Sequence, residues 1–213
     1  MNFERINNKG QARLFKNGFV ESLTKTRPWV IYMIYVPLCA YSLFYSYTVI
    51  GFPVAFVSGL FFVAVLSWSL FEYIAHRYLF HYEASSDFGR RAVYIFHGNH
   101  HEYPRDKERL FMPPVPSIIA SSFMFTLFYG FSYLLTGTGN YAFVYFPGFI
   151  TGYLIYVSMH YAIHAFPPPK GLKALWRNHH LHHYKYPERG FGVSSVIWDI
   201  VFGTAPGKDG SDK

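Results

Sequence analysis

Hydrophobic residues follow one another with few interruptions in four stretches of the chain, rather than alternating with polar ones. The stretches run from about Pro28 to Ile50, from Phe52 to Ile74, from Val115 to Thr136 and from Tyr141 to His164, and Glu72 is the one carboxylate or cation within them. Each approaches the ~20 residues that a helix needs to cross a bilayer core. We therefore expect an all-α integral membrane protein with four transmembrane helices in two hairpins.

The basic residues fix the expected orientation in the membrane. All 19 Lys and Arg lie in residues 1–27, 75–114 and 165–213, and none lies in the connectors near Gly51 and 137–140. The positive-inside rule then places both termini and the long central loop in the cytosol, at a bacterial cytoplasmic membrane or the endoplasmic reticulum. Because the basic residues that give the +7 net charge are accounted for by membrane orientation, the charge does not indicate a nucleic-acid partner. The single cysteine excludes a disulfide scaffold.

Residues 1–27 are expected to form a cytosolic N-terminal segment, followed by a four-span domain over 28–213. Within the segment, Ala12, Phe15, Phe19 and Leu23 recur at near-helical spacing among basic residues. This pattern is compatible with an amphipathic helix on the membrane surface or with an ordinary solvated leader.

The chemistry of the chain is concentrated in its 11 histidines, which all lie in four short boxes at 76–81, 97–101, 160–164 and 179–183. Two boxes follow the pattern H-x-x-H-H, which places three imidazoles on one face of a helix. His160 and His164 are an i, i+4 pair. His76 and His81 lie five residues apart, about 140° around an ideal helix, so either the helix is distorted there or the two residues bind different metals.

The boxes repeat. Each half of the chain gives a hairpin, a histidine pair at its exit and then a triplet, so that His179 corresponds to His97 and His180 is left over. Neutral imidazole is a common ligand of Zn, Fe, Cu and Ni, and ten ligands suit two metal ions. The predicted ligands are His76, His81, His97, His100, His101, His160, His164, His179, His182 and His183. A histidine-based pH sensor and a membrane metal transporter are the alternatives, but no acidic residue lies mid-span as a transporter would favour.

Five segments carry a resemblance to a known family: the boxes at 76–81, 97–101 and 160–164, the stretch 112–116 (MPPVP), and the tail from 190 to 204. Together with their order and spacing, they resemble the membrane fatty acid hydroxylase and sterol desaturase superfamily, and within it the sphingolipid fatty acid 2-hydroxylases. The resemblance implies O2-dependent hydroxylation of a lipid acyl chain beside its carboxyl or amide carbonyl, at two metal ions. Iron is expected in the active form, and zinc could occupy the same ligands in purified protein. A hydroxylase or desaturase of a sterol or carotenoid is the alternative within the superfamily.

The chain departs from the family in two ways. Eukaryotic members usually carry an N-terminal haem domain as electron donor, whereas the 27 residues before the first stretch contain no histidine. We therefore expect a separate donor, a reductase with a cytochrome or ferredoxin. The family also tends to have Tyr-Asp before the third box, where this chain has Tyr156 and Val157. Residues expected to support the ligands are His180, Glu72, Asp199 and Tyr156, with a helix-end or loop role as the alternative for Asp199.

Overall fold

The computed structural model describes residues 6–207, and this part of the chain is helical, with loops and without strands. Nine α-helices follow one another: α1 (Gly18–Ser22), α2 (Pro28–Thr48), α3 (Val54–Ala75), α4 (Asp87–Val93), α5 (Asn99–Glu102), α6 (Pro114–Thr136), α7 (Ala142–Ala165), α8 (Lys173–Tyr184) and α9 (Ile197–Val201). Two short π-helical segments extend α3 and α4, at His76–Phe80 and Tyr94–Gly98.

Four of these helices are long and apolar enough to cross a membrane: α2, α3 with its π-helical extension to Phe80, α6 and α7. The prediction of an all-α chain with four spans is therefore confirmed. Proline at the first position starts α2 and α6, where its missing N–H costs no hydrogen bond. Gly137 ends α6 with a φ of 74°, a left-handed conformation that glycine adopts without strain.

The residues divide into two compact units. The apolar unit comprises Leu23–Trp68 and Phe111–Ile155. The histidine unit comprises the described residues of Met1–Ser22, Ser69–Leu110 and Tyr156–Lys213, and it holds every histidine of the chain.

Within the apolar unit, α3 and α7 approach each other closely at two glycines. A Cβ on Gly148 would lie 2.5 Å from the carbonyl oxygen of Phe61, and one on Gly152 would collide with the side chain of Trp68. The two glycines form a G-x-x-x-G motif, which lets helix backbones meet where lipid offers no hydrophobic driving force. Interhelical hydrogen bonds add to this packing, such as the one from the Tyr145 hydroxyl to Ser67 Oγ at 2.7 Å.

The histidine unit includes the N-terminal segment, which packs on it largely without a helix. The Glu21 carboxylate accepts hydrogen bonds from the backbone N–H groups of Leu14 and Phe15, at 2.9 and 2.8 Å, and forms an ion pair with Arg109. These bonds hold residues before Gly18 in a non-helical path, so the helix considered over residues 11–25 is limited to Gly18–Ser22. Leu14 is buried, which also excludes a wholly solvated leader.

Candidate metal centre

Ten of the eleven histidines gather in two groups of five, and within each group the candidate ligand nitrogens all lie within 4.8 Å of one another. The first group is His76, His81, His97, His101 and His182. The second group is His100, His160, His164, His179 and His183. These are the ten residues that the box spacing singles out. His180 belongs to neither group, and its side chain is exposed.

A π-helical turn brings His76 and His81 into the same group. The His81 N–H donates to the His76 carbonyl at 3.2 Å, an i→i+5 bond that widens the turn. The two rings consequently lie 5.1 Å apart, close to the 4.9 Å between His160 and His164 on the regular helix α7. Of the two interpretations that the five-residue spacing allowed, the distorted helix is the one found.

The second box divides between the two groups. His97 and His101 join the first group, whereas His100 joins the second. The three histidines of this box therefore do not contribute to one common group. A second π-helical turn precedes α5, and the Asn99 amide donates to the carbonyls of Tyr94 and Ile95 at 3.0 and 2.7 Å. Asn99 thereby satisfies carbonyl groups in the turn from which His97 projects.

The fourth box, on α8, divides in the same way. His179 and His183 join the second group, and the middle residue of the triplet, His182, joins the first. The first half of the chain therefore supplies four histidines of the first group and His100 of the second. The second half supplies four histidines of the second group and His182 of the first. The rings of His101 and His183, the last residues of the two triplets, stack 4.3 Å apart where the groups meet.

Backbone carbonyls fix the protonation of two imidazoles in the first group. His76 Nδ1 lies 2.6 Å from the Phe191 carbonyl oxygen, and His182 Nδ1 lies 2.7 Å from that of Arg189. A carbonyl can only accept a hydrogen bond, so each Nδ1 carries the proton. In the neutral rings, each Nε2 then presents a lone pair to the other nitrogens of its group, as a metal ligand must.

The short contacts in this group cannot all be hydrogen bonds. The Nε2 atoms follow one another as His76–His97–His101–His182–His81, at 3.0, 3.0, 3.1 and 3.1 Å. With no proton on Nε2 of His76 or His182, at most three protons remain for four contacts. A cation would resolve this conflict, because several imidazole nitrogens can direct their lone pairs at one metal ion without a proton between them. The residues therefore fit a metal ion.

The second group has similar separations between Nε2 atoms: 2.8 Å for His160–His100, 2.9 Å for His164–His179 and 3.1 Å for His183–His179. Its orientation depends less on backbone acceptors, since Nδ1 of His179 and Nδ1 of His183 are buried with no hydrogen-bond partner among the described residues.

Burial keeps these imidazoles neutral. Outside the spans, removal from water lowers the pKa well below the ordinary 6.5, and neighbouring imidazoles lower it further, for His97, His100, His101, His179, His182 and His183. Protons therefore compete weakly for the nitrogen lone pairs near neutral pH, and the two groups could hold metal ions.

Asp199 binds the loop that contacts His76 and does not bind a ligand histidine directly. The carboxylate is fully buried and accepts four hydrogen bonds, from the Phe191 and Gly192 N–H groups, the Asn178 amide and the Thr204 hydroxyl. A direct bond from Asp199 to a ligand histidine is therefore not formed, and the loop role is the one found. The loop matters to the site because the Phe191 carbonyl contacts His76.

Glu72 also binds a loop. Its carboxylate accepts from the N–H of Val193 at 3.2 Å and from the N–H and hydroxyl of Ser194, each at 2.8 Å. His76, one helical turn after Glu72, has its Nδ1 bonded to the Phe191 carbonyl of the same loop.

The other two expected supporting residues, Tyr156 and His180, differ in how they lie against the second group. Tyr156 stacks on His160, with centroids 5.9 Å apart and planes 16° apart. Val157, which stands where the resemblance led us to expect an aspartate, is buried. His180 lies on the outer side of α8, its ring 6.5 Å from that of His164.

Sequence reasoning missed the carbonyls of Arg189 and Phe191, because a backbone acceptor has no residue type of its own. The glycines beside them were the available signal. Gly190 has a φ of 74°, and a Cβ on Gly192 would collide with the Ser195 carbonyl and lie 2.9 Å from the Asp199 carboxylate. Two such glycines around one residue indicate a tight turn held against other groups.

Comparison with known proteins gives one family. Residues 61–204 match the family model described as fatty acid hydroxylase. Dihydroceramide fatty acyl 2-hydroxylase FAH1 of Arabidopsis thaliana is 32% identical over 202 residues, which cover 94% of this chain and 83% of the relative. Fatty acid 2-hydroxylase of Homo sapiens is 34% identical over 213 residues, covering 90% of this chain and 56% of the relative.

A solved structure, full-length scs7p with only the hydroxylase domain visible, is similar to this chain throughout. It superposes with a TM-score of 0.84 at 36% sequence identity, covering 94% of this chain and 74% of the solved chain. The ceramide very long chain fatty acid hydroxylase SCS7 of Saccharomyces cerevisiae is likewise 36% identical, and this chain spans about half of its length, 51%.

Proposed function

Because the chain belongs to the fatty acid hydroxylase family, we propose that it hydroxylates carbon 2 of a fatty acyl group, either free or in the amide of a sphingolipid. The observation that carries the proposal is the pair of five-histidine groups in a chain of this family. The relatives at 32 and 36% identity, named for acyl 2-hydroxylation of dihydroceramide and hydroxylation of ceramide, support the choice of substrate.

The ten grouped histidines would hold two metal ions, one for each group. Metal ions bound there would supply the redox chemistry that O2 activation needs, which is why we propose iron for the active protein. Zinc fits the same nitrogens and could replace iron on purification, but it has no redox chemistry.

The protein's own part is to keep the ligands neutral, oriented and dry. Burial keeps the imidazoles neutral, and the carbonyls of Phe191 and Arg189 orient two of them. His101 and His183 are at most 4% exposed, so bulk water has little access to the junction of the groups. Exclusion of water protects a reactive oxidant from side reactions.

We also propose that the protein crosses the membrane four times with both termini and the histidines on the cytosolic side. The distribution of all 19 basic residues over 1–27, 75–114 and 165–213 supports this orientation. The acyl substrate would come from the bilayer. A separate protein would supply electrons, since each turnover converts the C–H bond, O2, two electrons and two protons into an alcohol and water.

The test is oxygen labelling with the purified full chain, an electron donor system and a ceramide or fatty acid. We expect a 2-hydroxyacyl product that carries one atom from 18O2. His101→Ala and His183→Ala should each abolish the product while the protein remains in the membrane fraction, because both residues lie outside the spans. Product oxygen from labelled water would refute the oxygenase mechanism, and a double bond would assign the chain to desaturation.

A further inference from the structure

Helix α8 presents two chemically different faces. Its buried face carries Trp176 together with three of the grouped histidines. The opposite face is exposed and carries Lys173, Arg177, His180 and Tyr184, spaced i, i+4, i+7 and i+11. This spacing places the four on one stripe of the helix. Helix α8 therefore lies between the grouped histidines on its buried face and the solvent.

The surroundings of this stripe are basic. Lys170, just before the helix, is exposed, as is Arg105. Lys107 is a further exposed cation, and its Nζ lies 5.9 Å from the ring centre of Phe166, whose carbonyl accepts a hydrogen bond from Trp176 of α8. In residues 105–109 and 170–189 the exposed acidic residues are Glu108 and Glu188, so exposed cations outnumber exposed carboxylates. A surface of this kind attracts an acidic partner.

The stripe is also close to the candidate metal centre. The exposed ring of His180 lies 6.5 Å from the ring of His164, and the ring of Tyr184 lies 6.4 Å from that of His183. Tyr184 is held by a hydrogen bond from its hydroxyl to Asn8 Oδ1 at 2.8 Å. A redox group placed against the stripe would therefore have a short path to the second group.

The surface near the first group has a different character. Beyond His76 the exposed residues are Tyr78, Leu79 and Tyr82, at 58, 62 and 59% exposure. Arg77, a cation on this side, donates a hydrogen bond to the Tyr73 hydroxyl at 2.9 Å and lies over the ring of Tyr78. This side suits an acyl chain rather than a charged protein.

We propose that the outer face of α8, centred on Lys173 and Arg177, is the docking surface for an acidic one-electron carrier protein. The inference rests on the proposed function and adds the place at which that reaction receives its electrons. The carrier is oxidised in two successive one-electron steps. The two electrons, with O2, two protons and the substrate C–H bond, give one hydroxyl group and one water.

The test uses the full chain in nanodiscs of neutral lipid, with NADPH, ferredoxin reductase and an acidic plant-type [2Fe–2S] ferredoxin. Lys173→Glu with Arg177→Glu should raise the ferredoxin concentration for half-maximal rate about tenfold, with the maximal rate retained. Added salt should slow the wild type more than this variant. Lys16→Glu with Arg90→Glu makes the same charge change at exposed sites outside the stripe and should leave the ferredoxin dependence unchanged.

Two further measurements separate this proposal from the proposed function. Dithionite replaces the carrier in a single turnover, so it should give equal product in all three proteins; no product from the wild type would refute hydroxylation itself. Ferredoxin binding without turnover should weaken about tenfold in the Lys173/Arg177 variant and stay unchanged in the control variant. Equal binding and equal half-saturation in all proteins would overturn the docking surface. A defect confined to nanodiscs with anionic lipid would instead assign the stripe to the membrane and overturn it too.

Discussion

Asp199→Asn is a small change that should affect the first histidine group without touching a histidine. Oδ2 accepts from the Gly192 N–H and the Asn178 NH2 group, and both can only donate, so the carbonyl of the new amide should occupy that side. Its NH2 group would then face the Phe191 N–H, a donor against a donor, where Oδ1 now accepts at 2.9 Å. Phe191 is the residue whose carbonyl orients His76.

The expected magnitude follows from this buried site. A hydrogen bond to a charged group contributes about 1.5–3 kcal/mol, and a buried N–H without an acceptor costs about 1–3 kcal/mol. These two contributions overlap, so the free energy of unfolding should fall by about 2–4 kcal/mol. Loss of a group that orients a ligand histidine typically weakens metal binding about 10–100-fold.

The assay is competition for metal between the protein and a chelator, followed by elemental analysis. The wild type should hold about two metal ions per chain, one for each group. Asp199→Asn should lose one of them at a chelator concentration about 10–100-fold lower than the wild type and retain the other. Thr204→Val is the matched control, because it removes one bond to Asp199 and leaves the Phe191 N–H satisfied.

Two outcomes would contradict this reasoning. If Asp199→Asn is destabilised but releases both metals as the wild type does, the loop does not orient His76. If Thr204→Val loses one metal equally readily, general loosening of the tail is responsible, rather than the Phe191 carbonyl.

Two other changes test the centre and the helix packing. His179→Ala should lose about one metal ion per chain whereas His180→Ala should keep both, because only the former belongs to a group; the reverse result would shift the register of the fourth box. Gly148→Leu should lower the free energy of unfolding by about 1–3 kcal/mol or more through collision with α3. Gly130→Leu, with open space around its Cβ, should change the melting temperature in detergent little, and equal losses would argue against the close approach.

The sequence was sufficient to identify the ten histidines that come together, because box spacing and hydrophobic length are local properties. It was insufficient to assign them to groups. That assignment depends on the π-helical turn after His76 and on the exchange of His100 with His182, and both arise from packing between segments distant in sequence. For Asp199 the sequence indicated a supporting role but not its partner. A buried carboxylate binds whichever donors the loops bring to it, and here those are two backbone N–H groups and two side chains.

The N-terminal segment illustrates a second limit. Spacing alone suggested a helix over residues 11–25, but a local pattern does not include the Glu21 carboxylate turning back to bind the N–H groups of Leu14 and Phe15. The hydrogen bonds that an isolated helix would make are replaced by side-chain bonds within the folded unit. Helix propensity is a weak guide where such competition exists.

The exchange of one histidine between the two triplets also bears on how the protein matures. When synthesis has passed His164, the nascent chain contains four histidines of the first group and three of the second. All of the missing ones lie on α8, so neither centre could be completed before that helix has left the ribosome and docked. Because metal binding and folding are coupled, the same late event would close both centres and join the two halves of the unit. Assembly of the cofactor would then coincide with the final step of folding, and a chain that stalls before α8 would retain no finished centre.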